Sequence, residues 1–118
     1  MITFTQLGQL GRLGNQLFQY AAVRAVSLEK NYQLKLPDLE GVVWHNQRCL
    51  LDNFNIQCDY LTLEDYYKIT NRYIETNHSM FYKDVFNVPD NTDLYGFFQN
   101  YQYFSKYEKE IRSDFKLS

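Results

Sequence analysis

Residues 2 to 6, ITFTQ, alternate: Ile2 and Phe4 fall on one face, Thr3 and Thr5 on the other. A period of two with β-branched enrichment predicts a strand. It runs into GQLGRLG (8 to 14), whose three glycines at a spacing of three break it. The period then changes. Leu17, Phe18, Ala21, Ala22, Ala25 and Val26 line one wide apolar face of a helix running to about Lys30. Asn15 is placed to cap that helix. YQLKLP (32 to 37) reads as a second strand ended by Pro37. Strand, glycine loop, helix and strand in this order make a βαβ unit. This constrains the fold more than any other feature, because such strands are parallel and joined by a right-handed crossover.

The remainder continues the alternation. LDNFNI (51 to 56) reads as a short strand, and TLEDYYK as a helix opened by Thr62 with Asp65 three residues on. NRYIET reads as another strand. VPDNTD is strong turn punctuation, and DLYGFF reads as a buried strand. From Tyr101, the positions Phe104, Tyr107, Ile111 and Phe115 keep helical spacing, with Glu108 and Arg112 as a favourable pair. The pattern predicts an α/β fold with a parallel sheet and flanking helices. A length of 118 residues allows one domain and a real core.

A net charge of -2 offers no basic footprint for nucleic acid and no polybasic patch for anionic lipid. Cys49 and Cys58 lie nine apart without metal-ligand spacing and read as reduced, structural thiols. The opening MITFTQLG lacks the basic region of a signal peptide, and Leu17 to Leu28 is too short to span a bilayer. Asn77-His78-Ser79 matches a glycosylation acceptor in pattern only. Aromatics make up 18% of the chain, which suits interfaces and sugar sites as well as a core.

The glycine loop has two readings. A loop between a strand and a helix N-terminus directs free backbone N–H groups outward, where the helix adds partial positive charge. Arg12 could add a bidentate guanidinium to a phosphate oxygen. Yet the spacing is neither G-x-G-x-x-G nor G-x-x-x-x-G-K-[ST], so a tight turn that starts a helix stays open. Asp38, 24 residues after Gly14, sits where a dinucleotide fold binds ribose, and equally where a solvated loop carboxylate is ordinary.

The wording of the loop goes further than its spacing. GRLGNQLFQYAA resembles the opening motif of the α-1,2-fucosyltransferases, glycosyltransferase family 11. It is also similar to the loop of the protein O-fucosyltransferases. LYGFFQNYQYFSKYEKEIRSDF resembles the former family's Gly-aromatic-Phe-Gln segment and the helix after it. LDNFNI and FNVPDNTDLYG are similar in order and distance. The resemblance implies a Rossmann-like domain, the N-terminal half of a GT-B glycosyltransferase. It implies transfer of L-fucose from GDP-fucose to the 2-hydroxyl of a β-galactoside, without a metal. By the family pattern Arg12 and Asn15 face the donor diphosphate or fucose, Gly11 and Gly14 permit its approach, and Gln16 orients the loop or contacts the donor.

The family's second half carries a His-x-Arg-Arg-x-Asp-type motif that grips GDP. HNQRC (45 to 49) has only a histidine and an arginine three apart, so residues 1–118 resemble a single, incomplete N-terminal domain. His45 and Arg48 read as ordinary surface or core residues, and Trp44 as core or cleft lining. Gln99, at the predicted end of a strand, is a substrate-site candidate. Tyr101 or Tyr103 could stack on an acceptor sugar, whereas Phe97, Phe98 and Phe104 read as core. Asp38, Glu40 and His45 leave the catalytic base unassigned. Two rival functions remain: a non-catalytic glycan- or nucleotide-binding module, and an interaction protein pairing with itself or with a separate C-terminal half. The expected location is cytoplasmic, with peripheral membrane association as an option.

Overall fold

The computed structural model describes residues 1–7, 13–37, 43–44, 47–48, 56, 58–77 and 80–116, with backbone alone at 13, 43, 44, 47 and 48. Strand β1 (Ile2–Thr3) is followed by helix α1 (Leu13–Lys30) and strand β2 (Lys35–Leu36). A parallel bridge between Ile2 and Leu34 sets β2 beside β1, as the βαβ pattern predicts. Strands β3 (Val43–Trp44) and β4 (Gln47–Arg48) form a small antiparallel pair that the sequence reading did not foresee. After them come β5 (Asp59–Tyr60), α2 (Leu63–Lys68), β6 (Asn71–Ile74), β7 (Thr92–Tyr95) and α3 (Glu108–Asp114).

β5 pairs with β2, β7 with β1, and β6 with β7, all parallel. With the Ile2–Leu34 bridge, the parallel strands run in the order β5-β2-β1-β7-β6. The chain is therefore mixed α/β around a parallel sheet. Register places Thr3, Asp93 and Arg72 side by side on one face. Ile2, Phe4, Leu34, Leu36 and Leu94 enter the core with Tyr20, Ala22, Val23 and Val26 of α1. Lys35 points away from that core and pairs with Asp65 of α2 at 3.0 Å, which ties α2 to the opposite face.

The local signals act as chemistry predicts at several ends. Thr62 and Asp65 form a reciprocal capping box at the start of α2. α1 stops where Asn31 turns left-handed at φ 55°, a conformation asparagine tolerates better than most residues. In VPDNTD, Asn91 at φ 62° donates its N–H to Met1 O (2.7 Å) and accepts from Thr70 N–H (3.0 Å), so one turn aligns β1, β6 and β7.

Four expectations need correction. DLYGFF is strand only as far as Tyr95, because Gly96 at φ 150° and Phe98 at φ 53° turn the chain out of the sheet. Asn15 is not a helix cap, because α1 begins at Leu13 and takes Gly14, Asn15 and Gln16 into its first turn. That turn's N–H groups lack intrahelical partners anyway, so a glycine there is cheap. Nor does α1 bury only one face: Gln16, Gln19, Tyr20, Val23 and Ser27 are buried as well. The C-terminal segment covers its outer side, with Ala21 and Ala25 packed against Ile111 and, around them, Phe104 and Phe115. Buried Asp114 fastens this layer by accepting from Tyr20 Oη (2.6 Å) and Arg24 Nε (2.9 Å). Finally, the single helix expected from Tyr101 is two 3-10 turns, Tyr101–Tyr103 and Ser105–Tyr107, ahead of α3. The Glu108–Arg112 pair is present at 2.5 Å.

Candidate functional site

β1 and β7 are adjacent parallel strands, and their C-terminal ends lead to the two segments that carry the sequence motifs. Past β1 the chain enters α1, whose first turn holds Asn15. Past β7 it makes a tight turn at 96–98 and reaches Gln99. There the side chains meet: Gln99 Nε2 donates to Asn15 Oδ1, across 84 residues of sequence. In open parallel sheets, ligands bind in crevices beyond the carboxyl ends of the strands. Asn15 and Gln99 occupy that position.

The turn delivering Gln99 is strained and heavily anchored. Phe98 adopts φ 53°, an uncommon conformation for a bulky residue. Gly96 has φ 150°, and a Cβ added there would lie 2.6 Å from Glu75 Cβ. Only glycine fits. Glu75, just past β6, is almost fully buried. Its Oε1 accepts from the backbone N–H of Phe97 (3.2 Å) and Phe98 (2.9 Å), and its Oε2 from the Tyr103 hydroxyl (3.0 Å). The Phe98 ring is locked by edge contacts with Phe4 and Tyr103 at centroid distances of 6.0 and 5.2 Å. Backbone strain survives only where surroundings over-determine it, and it clusters at functional sites.

The other candidates fall as follows. Gly14 is exposed, with nothing within 4 Å of the position a Cβ would take, so packing does not demand a glycine there. Gln16 is 2% exposed and belongs to the interior. Tyr101 is 68% exposed. Tyr103 is not a stacking surface. It is buried, accepts from Tyr82 N–H (3.0 Å), and lies within 3.1 Å of Met80 O. Burial and the neighbouring Glu75 carboxylate raise its phenol well above the ordinary range. Phe98 is core as predicted, while Phe97 and Phe104 are half-buried.

Gly8, Gly11, Arg12, Asp38, Glu40, His45, Cys49, residues 51–55 and His78 lie outside the described residues, as do the side chains of Trp44 and Arg48. Cys58 is a free, half-buried thiol whose pKa burial pushes up to about 11, assisted by the Asp59 carboxylate. Among the described residues, no three His, Cys, Asp or Glu side chains cluster as a metal site requires. Nor is any described helix long and apolar enough to cross a membrane.

Sequence reasoning singled out Asn15 and Gln99, whose side chains the structure brings into contact, and passed over Glu75. Its only trace is Gly96 in YGFF, where a glycine inside an apolar run signals close approach of another group. No protein-family model, curated protein or solved structure matches the chain.

Proposed function

We propose that residues 1–118 form the N-terminal, Rossmann-like half of a GT-B glycosyltransferase. Its reaction would be transfer of L-fucose from GDP-fucose to the 2-hydroxyl of a β-galactoside in the cytoplasm. The observation that carries this reading is the Asn15–Gln99 contact. It joins the two motif segments that resemble the fucosyltransferase family, at the strand ends where an α/β sheet binds ligands.

The chemistry suits the parts. Cleaving the sugar–phosphate bond develops negative charge on the departing GDP. Backbone N–H groups at the start of α1, with the open space beside Gly14, are suited to receive it. Arg12 would add the cation. Asn15, with its amide oriented by Gln99, would contact the donor, and exposed Tyr101 would face the galactoside. The GDP-gripping motif of the family's second half has no counterpart here, so residues 1–118 alone bind without turnover.

The test is a titration of the 15N-labelled 118-residue chain with GDP-fucose, then with lactose, alongside an assay for released GDP. Shifts at Gly14, Asn15 and Gln99 without GDP release are expected. Absence of any shift there removes the reading, and clear turnover shows that no second half is needed.

A further inference from the structure

The sheet face opposite α1 is polar and only partly covered by α2. It holds a cleft of about 640 Å3 lined by Thr5, Gln6, Tyr66, Asn71, Arg72 and Asp93, among others. That volume lies in the range of small-molecule sites. At its floor Asp93 is buried and hydrogen-bonded on both oxygens. Oδ1 accepts from Thr5 N–H (2.8 Å), and Oδ2 from Thr5 Oγ1 (2.8 Å) and from Arg72 Nε (3.2 Å) and Nη2 (3.0 Å). The Asp93 carboxylate thus accepts from two elements at once, the start of the chain after β1 and strand β6. What it does is hold Arg72.

The Arg72 guanidinium is fixed on a second side by the Tyr95 ring, 5.8 Å from its centroid. Its side chain is still 50% exposed. Two of its five N–H donors face Asp93, and among the described residues the others meet no further acceptor, so they are open to a ligand. Asn71 borders the cleft at the start of β6. The Tyr66 ring, 45% exposed, supplies a flat apolar wall with a hydroxyl at its edge. On the same face of β1, buried Thr3 Oγ1 has no hydrogen-bond partner among the described residues.

We infer that this cleft is a second binding site, for a neutral, hydroxyl-rich small molecule such as a polyol or a pyranoside ring. The Arg72–Asp93 pair is electrically balanced and the other polar groups named are uncharged. The site thus offers donors, acceptors and an aromatic wall without the excess positive charge a phosphate requires. It lies on the other face of the sheet from α1 and needs no transfer chemistry.

The test titrates the 15N-labelled 118-residue chain with methyl α-D-glucopyranoside and with myo-inositol, and in parallel with acetate and inorganic phosphate. Saturable millimolar shifts are expected with the neutral probes at Thr5, Asn71 and the Arg72 Nε–H, with Asn15 and Gln99 unmoved. Tyr66→Ala should weaken binding about tenfold through the lost ring contact. Should that variant not fold, Arg72→Lys serves in its place, keeping the charge while losing the fork. No saturable shift, a stronger response to acetate or phosphate, a response centred on Asn15 and Gln99, or undiminished binding by the folded variant overturns the assignment. The GDP-fucose titration reads different residues, so the two readings can fail separately.

Discussion

Replacing Glu75 with alanine removes three hydrogen-bond acceptor contacts at once, and they do not weigh equally. The Tyr103 hydroxyl keeps Met80 O within 3.1 Å as an alternative acceptor, so its loss is small. Phe97 N–H is only part-buried and can recruit water. Phe98 N–H is fully buried, and its 2.9 Å bond to the carboxylate has no substitute. A hydrogen bond to a charged group contributes about 1.5–3 kcal/mol, and a stranded buried donor costs about 1–3 kcal/mol. Loss of about 2–4 kcal/mol follows if the turn stays in place. Relaxation of Phe98 from φ 53° returns about 1–3 kcal/mol of strain. The turn is therefore expected to relax, leaving a net loss of about 1–2 kcal/mol and moving Gln99 away from Asn15. Glu75→Gln keeps an oxygen for both amides and turns an N–H₂ toward the Tyr103 oxygen, so it should cost under about 1 kcal/mol and preserve the contact. Urea unfolding reads the first quantity, and the Gln99 side-chain amide resonances read the second. An alanine variant with parental stability and unmoved Gln99 resonances refutes the reasoning. So does a glutamine variant as damaged as the alanine one, because charge and not acceptor geometry would then be the cause.

Gly96→Ala should destabilise by more than about 2 kcal/mol in urea unfolding, because its Cβ would lie 2.6 Å from Glu75 Cβ at a φ of 150°. Thr62 N–H and then Lys35 hold the Asp65 carboxyl at about 2, below its ordinary 3.8. Its contribution to stability is therefore complete above about pH 4 and lost as pH falls towards 2; acid unfolding of Asp65→Asn should lack that step. Asn15→Asp keeps an oxygen for Gln99 Nε2 and adds negative charge in the first turn of α1, worth about 0.3–1 kcal/mol to the fold. The same charge should weaken GDP-fucose binding in the titration described above, and undiminished binding places the diphosphate elsewhere.

The βαβ unit was legible because each of its parts carries a distinct period: two in ITFTQ, helical from Leu17, and a strand closed by Pro37. The Thr62–Asp65 capping box was legible because its chemistry is local. The C-terminal segment was not. Apolar residues at helical spacing cannot distinguish one helix from two 3-10 turns followed by α3. That choice is made by contacts distant in sequence, chiefly Tyr103 reaching Met80, Tyr82 and Glu75, and Asp114 reaching Tyr20 and Arg24. Burial of α1 on both sides was hidden for the same reason, since its second cover is drawn from residues 104 to 115.

The candidate site shows the same division. Asn15 and Gln99 could be selected one by one, from a loop before a helix and the end of a strand. Their contact could not, because it depends on a turn where local preference is overruled. Phenylalanine disfavours φ 53°, and Glu75 is buried with its carboxylate turned toward backbone amides. Consistency between local preference and global fold is the rule in natural sequences, and violations concentrate where function requires a fixed geometry. Arg72 and Asp93 follow suit: no local pattern marks either one, and only the β6–β7 register sets them side by side. In both places a buried carboxylate spends its hydrogen bonds on holding another group still, Glu75 the turn before Gln99 and Asp93 the Arg72 guanidinium. Carboxylates used in this way fix the groups that ligands meet rather than meeting ligands themselves. A search of the sequence for reactive acids passes over them.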